Sequence, residues 1–172
     1  LPLNYLEKTD VLLANTYHLY LRPGLDVIKE FEGLHNFIGW DNLILTDSGG
    51  FQGWSIPNKF NDDGIEFKNI YDGSKFFMDP ILSMDIQNSL NSDIAMILDS
   101  LVDIDKDYNN QLQSINTTKK WAEIAREYHS NNNQSLFGIV QGGKYLELRE
   151  KSSIDMVSLN FDGYAIGGLA IG

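Results

Sequence analysis

Thr46-Asp-Ser-Gly-Gly-Phe-Gln52 sets a carboxylate, a hydroxyl and two glycines directly behind the short apolar run Leu43 to Leu45. Asp47 and Ser48 thus stand at the C-terminal edge of a strand, which in parallel α/β folds is where ligands bind. Gly49 and Gly50 let the backbone approach a ligand with no Cβ in the way, and Phe51 follows as a flat apolar plate. By itself the stretch reads equally as a strand end closed by an Asp-Ser turn. The pattern recurs, however. Ile94-Ala-Met-Ile-Leu-Asp99 is a second apolar run ending on a carboxylate, Leu136-Phe-Gly-Ile-Val-Gln-Gly-Gly143 ends on an amide and two glycines, and Tyr164-Ala-Ile-Gly-Gly-Leu-Ala-Ile-Gly172 ends on glycines.

Side chains of this kind need rigid elements to aim them. Leu43 to Leu45 reads as a buried strand, because an apolar run this short, closed by glycines, has strand length and makes no stable helix alone. Val11-Leu-Leu-Ala-Asn15 begins as another buried strand and turns polar at Asn15. Leu3 to Thr9 reads as the amphipathic end of a helix, and Arg22-Pro-Gly24 as a turn. Asp26 to Glu32 predicts a short helix with Val27, Ile28 and Phe31 on one side and Gly33 closing it. His35, Phe37 and Trp40 then fall in a loop, His35 with a structural role. Ile65 to Ile70 and Lys75 to Met78 flank Tyr71-Asp-Gly-Ser74, a hairpin signature with Asp72-Gly73 at its turn. Asp79 and Pro80 open a helix as N-cap and first residue, ending at Asn91-Ser92. Helical spacing continues from Gln111 to His129 and from about Lys144 to Leu159. Asp103, Asp105 and Asp107 alternate as in a calcium loop, but the glycine and terminal glutamate are missing, so a solvated acidic loop is expected.

Strands and helices therefore alternate, with one antiparallel insertion, which predicts a parallel sheet covered by helices. A (β/α) barrel fits better than a doubly wound sheet. Several strands deliver polar or glycine ends to one mouth, and no single glycine-rich phosphate turn stands near the start. The 172 residues suit one domain, and 42% hydrophobic content supports a sizeable core. There is no cysteine, and His18, His35 and His129 have no ligand spacing, so no disulfide or metal site is expected in the chain. Net charge is −11, with 24 acidic against 13 basic residues, which taken alone argues against nucleic acid. No apolar run approaches the ~20 residues that span a bilayer, and no targeting segment is visible, so no membrane partner and a cytoplasmic location are expected.

Five stretches together closely resemble the tRNA-guanine transglycosylase (queuine tRNA-ribosyltransferase) family, in order and with compatible spacing from Asn15 to the final glycine. They are Asn15-Thr-Tyr-His-Leu19, Leu21-Arg-Pro-Gly24, Thr46-Asp-Ser-Gly-Gly-Phe-Gln52, Phe137-Gly-Ile-Val-Gln-Gly-Gly143 and Phe161-Asp-Gly-Tyr-Ala-Ile-Gly-Gly-Leu169. The resemblance implies a (β/α)8 TIM-type barrel that exchanges the wobble guanine of tRNA for a 7-deazaguanine base, on the route to queuosine, through a covalent ribosyl-enzyme intermediate. The C-terminal stretch looks most like bacterial members. Matched position by position, Asp47 is the general acid/base and Ser48 helps position the base, with Gly49 and Gly50 beside it. Phe51 stands where an aromatic stacks on the base, Asp99 takes its pyrimidine edge, Gln141 its carbonyl, and Gly168 and Leu169 offer backbone contacts.

Two departures follow. Leu98-Asp-Ser-Leu101 stands where the family usually has Phe-Asp-Glu-Cys, so a polar wall position is apolar. Family members also continue beyond the last strand into the nucleophilic aspartate and a cysteine-rich structural zinc site. The 172 residues are thus expected to be a single partial barrel, about five core strands plus the hairpin, short of the ~250 residues of a complete one. The C-terminal half and zinc subdomain would lie elsewhere, as would most basic tRNA-contacting surface, and this chain alone would be inactive. The expected partners are tRNA and the deazaguanine base, and a homodimer is compatible with the full-length form. Two other readings stay open: a non-catalytic partner or degenerate paralogue of the family, and a glycoside hydrolase pairing Asp47 with Asp99.

Overall fold

The computed structural model describes Leu6 and residues 8–50 and 59–169. In chain order the elements are β1 (Val11–Ala14), α1 (Thr16–Leu21), α2 (Leu25–Glu30), α3 (Leu34–Ile38) and β2 (Leu43–Thr46), then β3 (Lys59–Asn61), β4 (Gly64–Lys68) and β5 (Lys75–Met78). The rest are α4 (Pro80–Leu90), β6 (Ile94–Met96), α5 (Tyr108–Tyr128), β7 (Ser135–Val140), α6 (Leu146–Ser158) and β8 (Gly163–Ile166). Of the amphipathic stretch read at Leu3 to Thr9, residues 3–5 and 7 lie outside the described residues.

Five strands form one parallel sheet in the order β1-β2-β6-β7-β8. Each core strand pairs with the core strand next to it in sequence, and helices bridge every step. A doubly wound sheet must reverse its order at a switch point. This one never does, so it is the open arc of a (β/α) barrel, with all its C-terminal strand ends on one side.

The helices cover one face of the arc. Met84, Ala95, Ile97, Ala122, Ala125, Leu136 and Met156 belong to one buried cluster against α4, α5 and α6, and Leu34, Trp40 and Ile44 form another under β1 and β2. The opposite face is open at Val11, Leu13, Leu43, Tyr164 and Ile166. β1 is accordingly not the buried strand its composition suggests: its residues alternate between exposed and half-buried because it lies at the edge of the sheet. Leu43, on the inner strand β2, is exposed on the same open face, whereas Ile44 and Thr46 are buried on the helix side.

Local signals explain most boundaries. Asp79 accepts the Leu82 N–H at 2.7 Å with Pro80 at the first turn of α4, and Asn91 ends that helix in the left-handed region. Asp107, within the acidic run, caps α5 by accepting from the Asn110 N–H at 3.0 Å, which starts the helix earlier than its apolar spacing does. Asp103 makes a local turn with the Asp105 N–H. His35 and Phe37 sit in a short helix, α3, rather than a loop, bounded by Gly33 and a left-handed Gly39. His35 there bridges the Trp40 carbonyl and the Asp93 carboxylate at 2.7 and 2.9 Å, a structural role. In α2 only Ile28 is buried, while Val27 and Phe31 are exposed.

The insertion is larger than a hairpin. β4 and β5 pair antiparallel, but β3 adds a third strand, and the connection runs from Asn69 to Ser74 instead of turning on Asp72-Gly73 alone. Its inner side packs on α1. Tyr17, Phe67 and Phe76 form a ring cluster with centroids 5.1 to 6.0 Å apart, and the Tyr17 hydroxyl donates to the Lys68 carbonyl at 3.0 Å.

Candidate active site

Asp47 follows the last residue of β2, where the ladder to β1 ends and its carboxylate meets the N-terminus of α1. One carboxylate oxygen accepts from the Thr16 and Gly49 backbone N–H groups at 2.9 and 3.2 Å; the other accepts from the Asn15 side-chain amide at 2.6 Å. Asn15 also caps α1 by accepting from the His18 N–H. Burial pushes the Asp47 carboxyl above its ordinary value, and these three donors pull back against that shift.

The main chain of Asp47 is held as closely as its side chain. Its carbonyl accepts from the Thr16 hydroxyl and from Nε2 of Gln87 at 2.7 Å. Gln87, fully buried on α4, also donates to the Met96 carbonyl at 3.3 Å, and its oxygen accepts from the Thr46 hydroxyl. Thr46 and Ser92 hydroxyls are 2.6 Å apart, and the Gln134 amide donates to both the oxygen of the Ser92 side chain and its carbonyl. A buried polar chain thus stands behind the end of β2, with every member partnered.

Asp99 lies farther along, in the segment that follows β6 (Ile94–Met96). It is buried, with one oxygen accepting from the Ser48 hydroxyl at 3.3 Å and the other from Nε2 of Gln141 at 2.6 Å. Desolvation raises its pKa from 3.8 to about 6; the Gln141 and Ser48 hydrogen bonds oppose the shift, and the nearby Asp47 charge adds to it. The two carboxylates therefore sense each other at one sheet end. Gln141 follows β7, and its own N–H is held by the Ser152 hydroxyl of α6 at 3.1 Å. Ser48, Asp99 and Gln141 form a continuous hydrogen-bonded run across the ends of three neighbouring strands. Gln141 keeps a second amide hydrogen for another acceptor.

Close approach accounts for the glycines here. A Cβ on Gly50 would lie 2.6 Å from an Asp99 carboxylate oxygen, and one on Gly167 would lie 2.5 Å from Nε2 of Gln141. Gly168, at the end of β8, abuts the Gln141 oxygen. Leu101, at the apolar departure from the usual family wall, is buried. Leu169 is exposed.

The structure thus brings Asp47, Ser48, Gly49, Gly50, Asp99, Gln141 and Gly168 to one end of the sheet; Phe51 lies outside the described residues. Reading the sequence alone missed the direct Asp99–Gln141 bond and the support from Gln87. Gln87 had a signal, since a polar residue three from Met84 and three from Leu90 sits on the buried side of an apolar helix. The residues present do not fit a cysteine-rich zinc site: the chain has no cysteine, and among the described residues no group of three His, Asp or Glu could hold a metal. No helix among the described residues is long and apolar enough to cross a membrane.

The family model for queuine tRNA-ribosyltransferase matches residues 2–172. A curated queuine tRNA-ribosyltransferase of Bacillus pumilus is 49% identical over 168 residues, covering 96% of this chain and 44% of that protein. Proteins of the same name from Thermotoga petrophila and Oceanobacillus iheyensis are each 48% identical, covering 95% and 96% of this chain and 44% of their own length. The chain therefore spans about 44% of the length of the curated relatives it matches.

Proposed function

We propose, for a chain that belongs to the queuine tRNA-ribosyltransferase family, that its strand ends form the base-binding half of a tRNA-guanine transglycosylase in a single partial barrel domain. The reaction is exchange of the wobble guanine of a cytoplasmic tRNA for a 7-deazaguanine base. The observation that carries this reading is the Ser48, Asp99, Gln141 run with Asp47 beside it.

A guanine-like ring presents an N1–H and an exocyclic amine as adjacent donors. Ionised Asp99 can accept from both with charge-assisted strength. The second amide hydrogen of Gln141 and the backbone N–H groups of Gly168 and Leu169 suit the ring carbonyl, and Phe51 suits its flat face. Burial disfavours ionised Asp99, and two donors from a base would relieve that cost. A base lacking those donors would leave the desolvation of the Asp99 charge uncompensated on that side, which supports discrimination of up to ~10⁴.

Asp47 moves the protons. As the bond between ribose and guanine breaks, it gives a proton to the departing base, and it takes one from the ring nitrogen of the incoming base. Burial, which favours its protonated form, suits both steps. The aspartate that carries the ribosyl group, the structural zinc, most tRNA-contacting lysines and arginines, and any homodimer contact are assigned to the part of the relatives that this chain does not match.

The test is exchange of radiolabelled guanine into tRNA by the full-length protein and its Asp47→Asn variant. A general acid/base contributes ~10² to 10⁴ in rate, and a loss of that size is expected. Equal exchange by the two proteins would remove Asp47 from the reaction, and no exchange by either would leave a non-catalytic member of the family.

A further inference from the structure

The turns that follow β7 and β8, Gln141-Gly-Gly143 and Gly167-Gly168, have almost no side chains of their own to hold them. One side chain spans both. Arg149, on α6, donates from Nε to the Gly143 carbonyl at 2.7 Å and from both terminal nitrogens to the Gly167 carbonyl at 3.3 Å. We propose that Arg149 is a positioning residue that sets the base-carbonyl edge of the slot by fixing these two turns to each other. The proposal rests on the transglycosylase reading for its functional meaning.

Three observations carry it. The guanidinium fork is used on carbonyls alone. In a chain with 24 acidic and 13 basic residues, the ion pairs among the described residues are made by His35 and lysines, and none involves Arg149. An arginine kept from carboxylates in so acidic a chain holds main chain instead, and its planar donors suit two acceptors where a lysine serves one.

The first turn is also fitted against the helix that carries Arg149. A Cβ on Gly142 would stand 2.7 Å from the Arg149 backbone nitrogen, at a φ of +134°. The turn and the start of α6 are therefore one unit.

The second turn bears directly on the site. Gly167 touches Gln141, which holds Asp99, so a shift of Gly167 alters the wall that confines both. The Gly167 carbonyl and the Gly168 N–H belong to one peptide group. A cation on that carbonyl polarises the group and makes the Gly168 N–H a stronger donor toward a base carbonyl.

The experiment compares wild type, Arg149→Met and Arg149→Lys in the full-length protein. The first readout is amide hydrogen exchange at Gly167, whose N–H bonds to the Val140 carbonyl at 2.8 Å. In Arg149→Met this amide should exchange about tenfold faster or more, with the Asp47 turn unchanged and Arg149→Lys intermediate. The second is kinetic: the KM for guanine should rise about ten- to a hundredfold, and kcat/KM for tRNA should fall as well, because the departing guanine occupies the same slot. Unchanged protection at Gly167, or protection lost equally at Asp47, would overturn the positioning role. Faster exchange with an unchanged guanine KM would overturn its bearing on the base. A wild type that exchanges no guanine would sink the transglycosylase reading, and the amide rates would still decide the positioning.

Discussion

Asp47 and Asp99 lie beyond the C-terminal ends of neighbouring strands and are held in opposite ways. Asp47, at the β1–β2 side, accepts two backbone N–H groups and one side-chain amide, and keeps partial contact with solvent. Asp99, at the β6–β7 side, is buried and depends on two side chains, Ser48 and Gln141. A carboxylate held by fixed main chain is built to keep its place while a proton comes and goes. One held by side chains can exchange its partners for a ligand's donors. Under the proposed transglycosylase reading, the contrast suits proton transfer on one side of the sheet end and recognition on the other, from environment rather than residue type.

Replacing the recognition carboxylate should break the contrast with the largest effect. The Asp99 pKa of about 6 lies above its ordinary 3.8, so the folded state holds this proton more tightly. Its contribution to stability is complete below pH 3.8 and is lost as pH rises through 6. Once Asp99 is ionised, the cost of the shift is about 3 kcal/mol. Asp99→Asn should therefore stabilise the fold by up to that amount at pH 8, with no gain at pH 3.5, while guanine binding falls. Urea denaturation at the two pH values with a guanine titration checks both signs, and an Asn variant less stable at pH 8 would refute the account.

A smaller effect should come from the polar chain behind Asp47. Gln87→Leu removes the amide donor from the Met96 carbonyl and one of the two donors from the Asp47 carbonyl, which keeps the Thr16 hydroxyl, and a loss of about 2 kcal/mol is expected. The same variant should slow guanine exchange beyond any loss of folded protein, because the main chain of Asp47 is released. Activity in proportion to the folded fraction, read by circular dichroism, would restrict Gln87 to stability. The smallest effect sharpens the comparison. Asn15→Ala removes one of three donors from Asp47 and the cap of α1, at about 1 kcal/mol. It should move the Asp47 titration upward, measurable by NMR, and leave Asp99 within error.

The sheet and its ends were legible in the sequence because apolar runs closed by polar or glycine residues carry their own boundaries. Asp79-Pro80 is a clear case, where cap and first residue both appear in the sequence. Long-range partners left weaker traces. That Gln141 bonds Asp99 depends on β6 and β7 being neighbours, which pairing decides and residue type does not. Arg149 looked like any charged residue on a helix following a buried leucine. The exposure of Leu13, like that of Leu43, follows from its lying on the face that no helix covers, which alternation alone does not identify. β3 is too short to announce itself and exists by pairing with β4.

The strand order has a consequence for how the molecule assembles. When every core strand pairs with the one made just before it, the sheet can grow in the direction of synthesis, each helix and strand docking on a finished edge. The widest gap to be closed lies between β2 and β6, where Thr46 and the Ile94 carbonyl are 48 residues apart. That interval contains the three-stranded insertion, whose β4 and β5 meet across a short turn. Folding that local unit first shortens the free chain left to loop and lowers the entropic barrier to joining the two carboxylate-bearing strands.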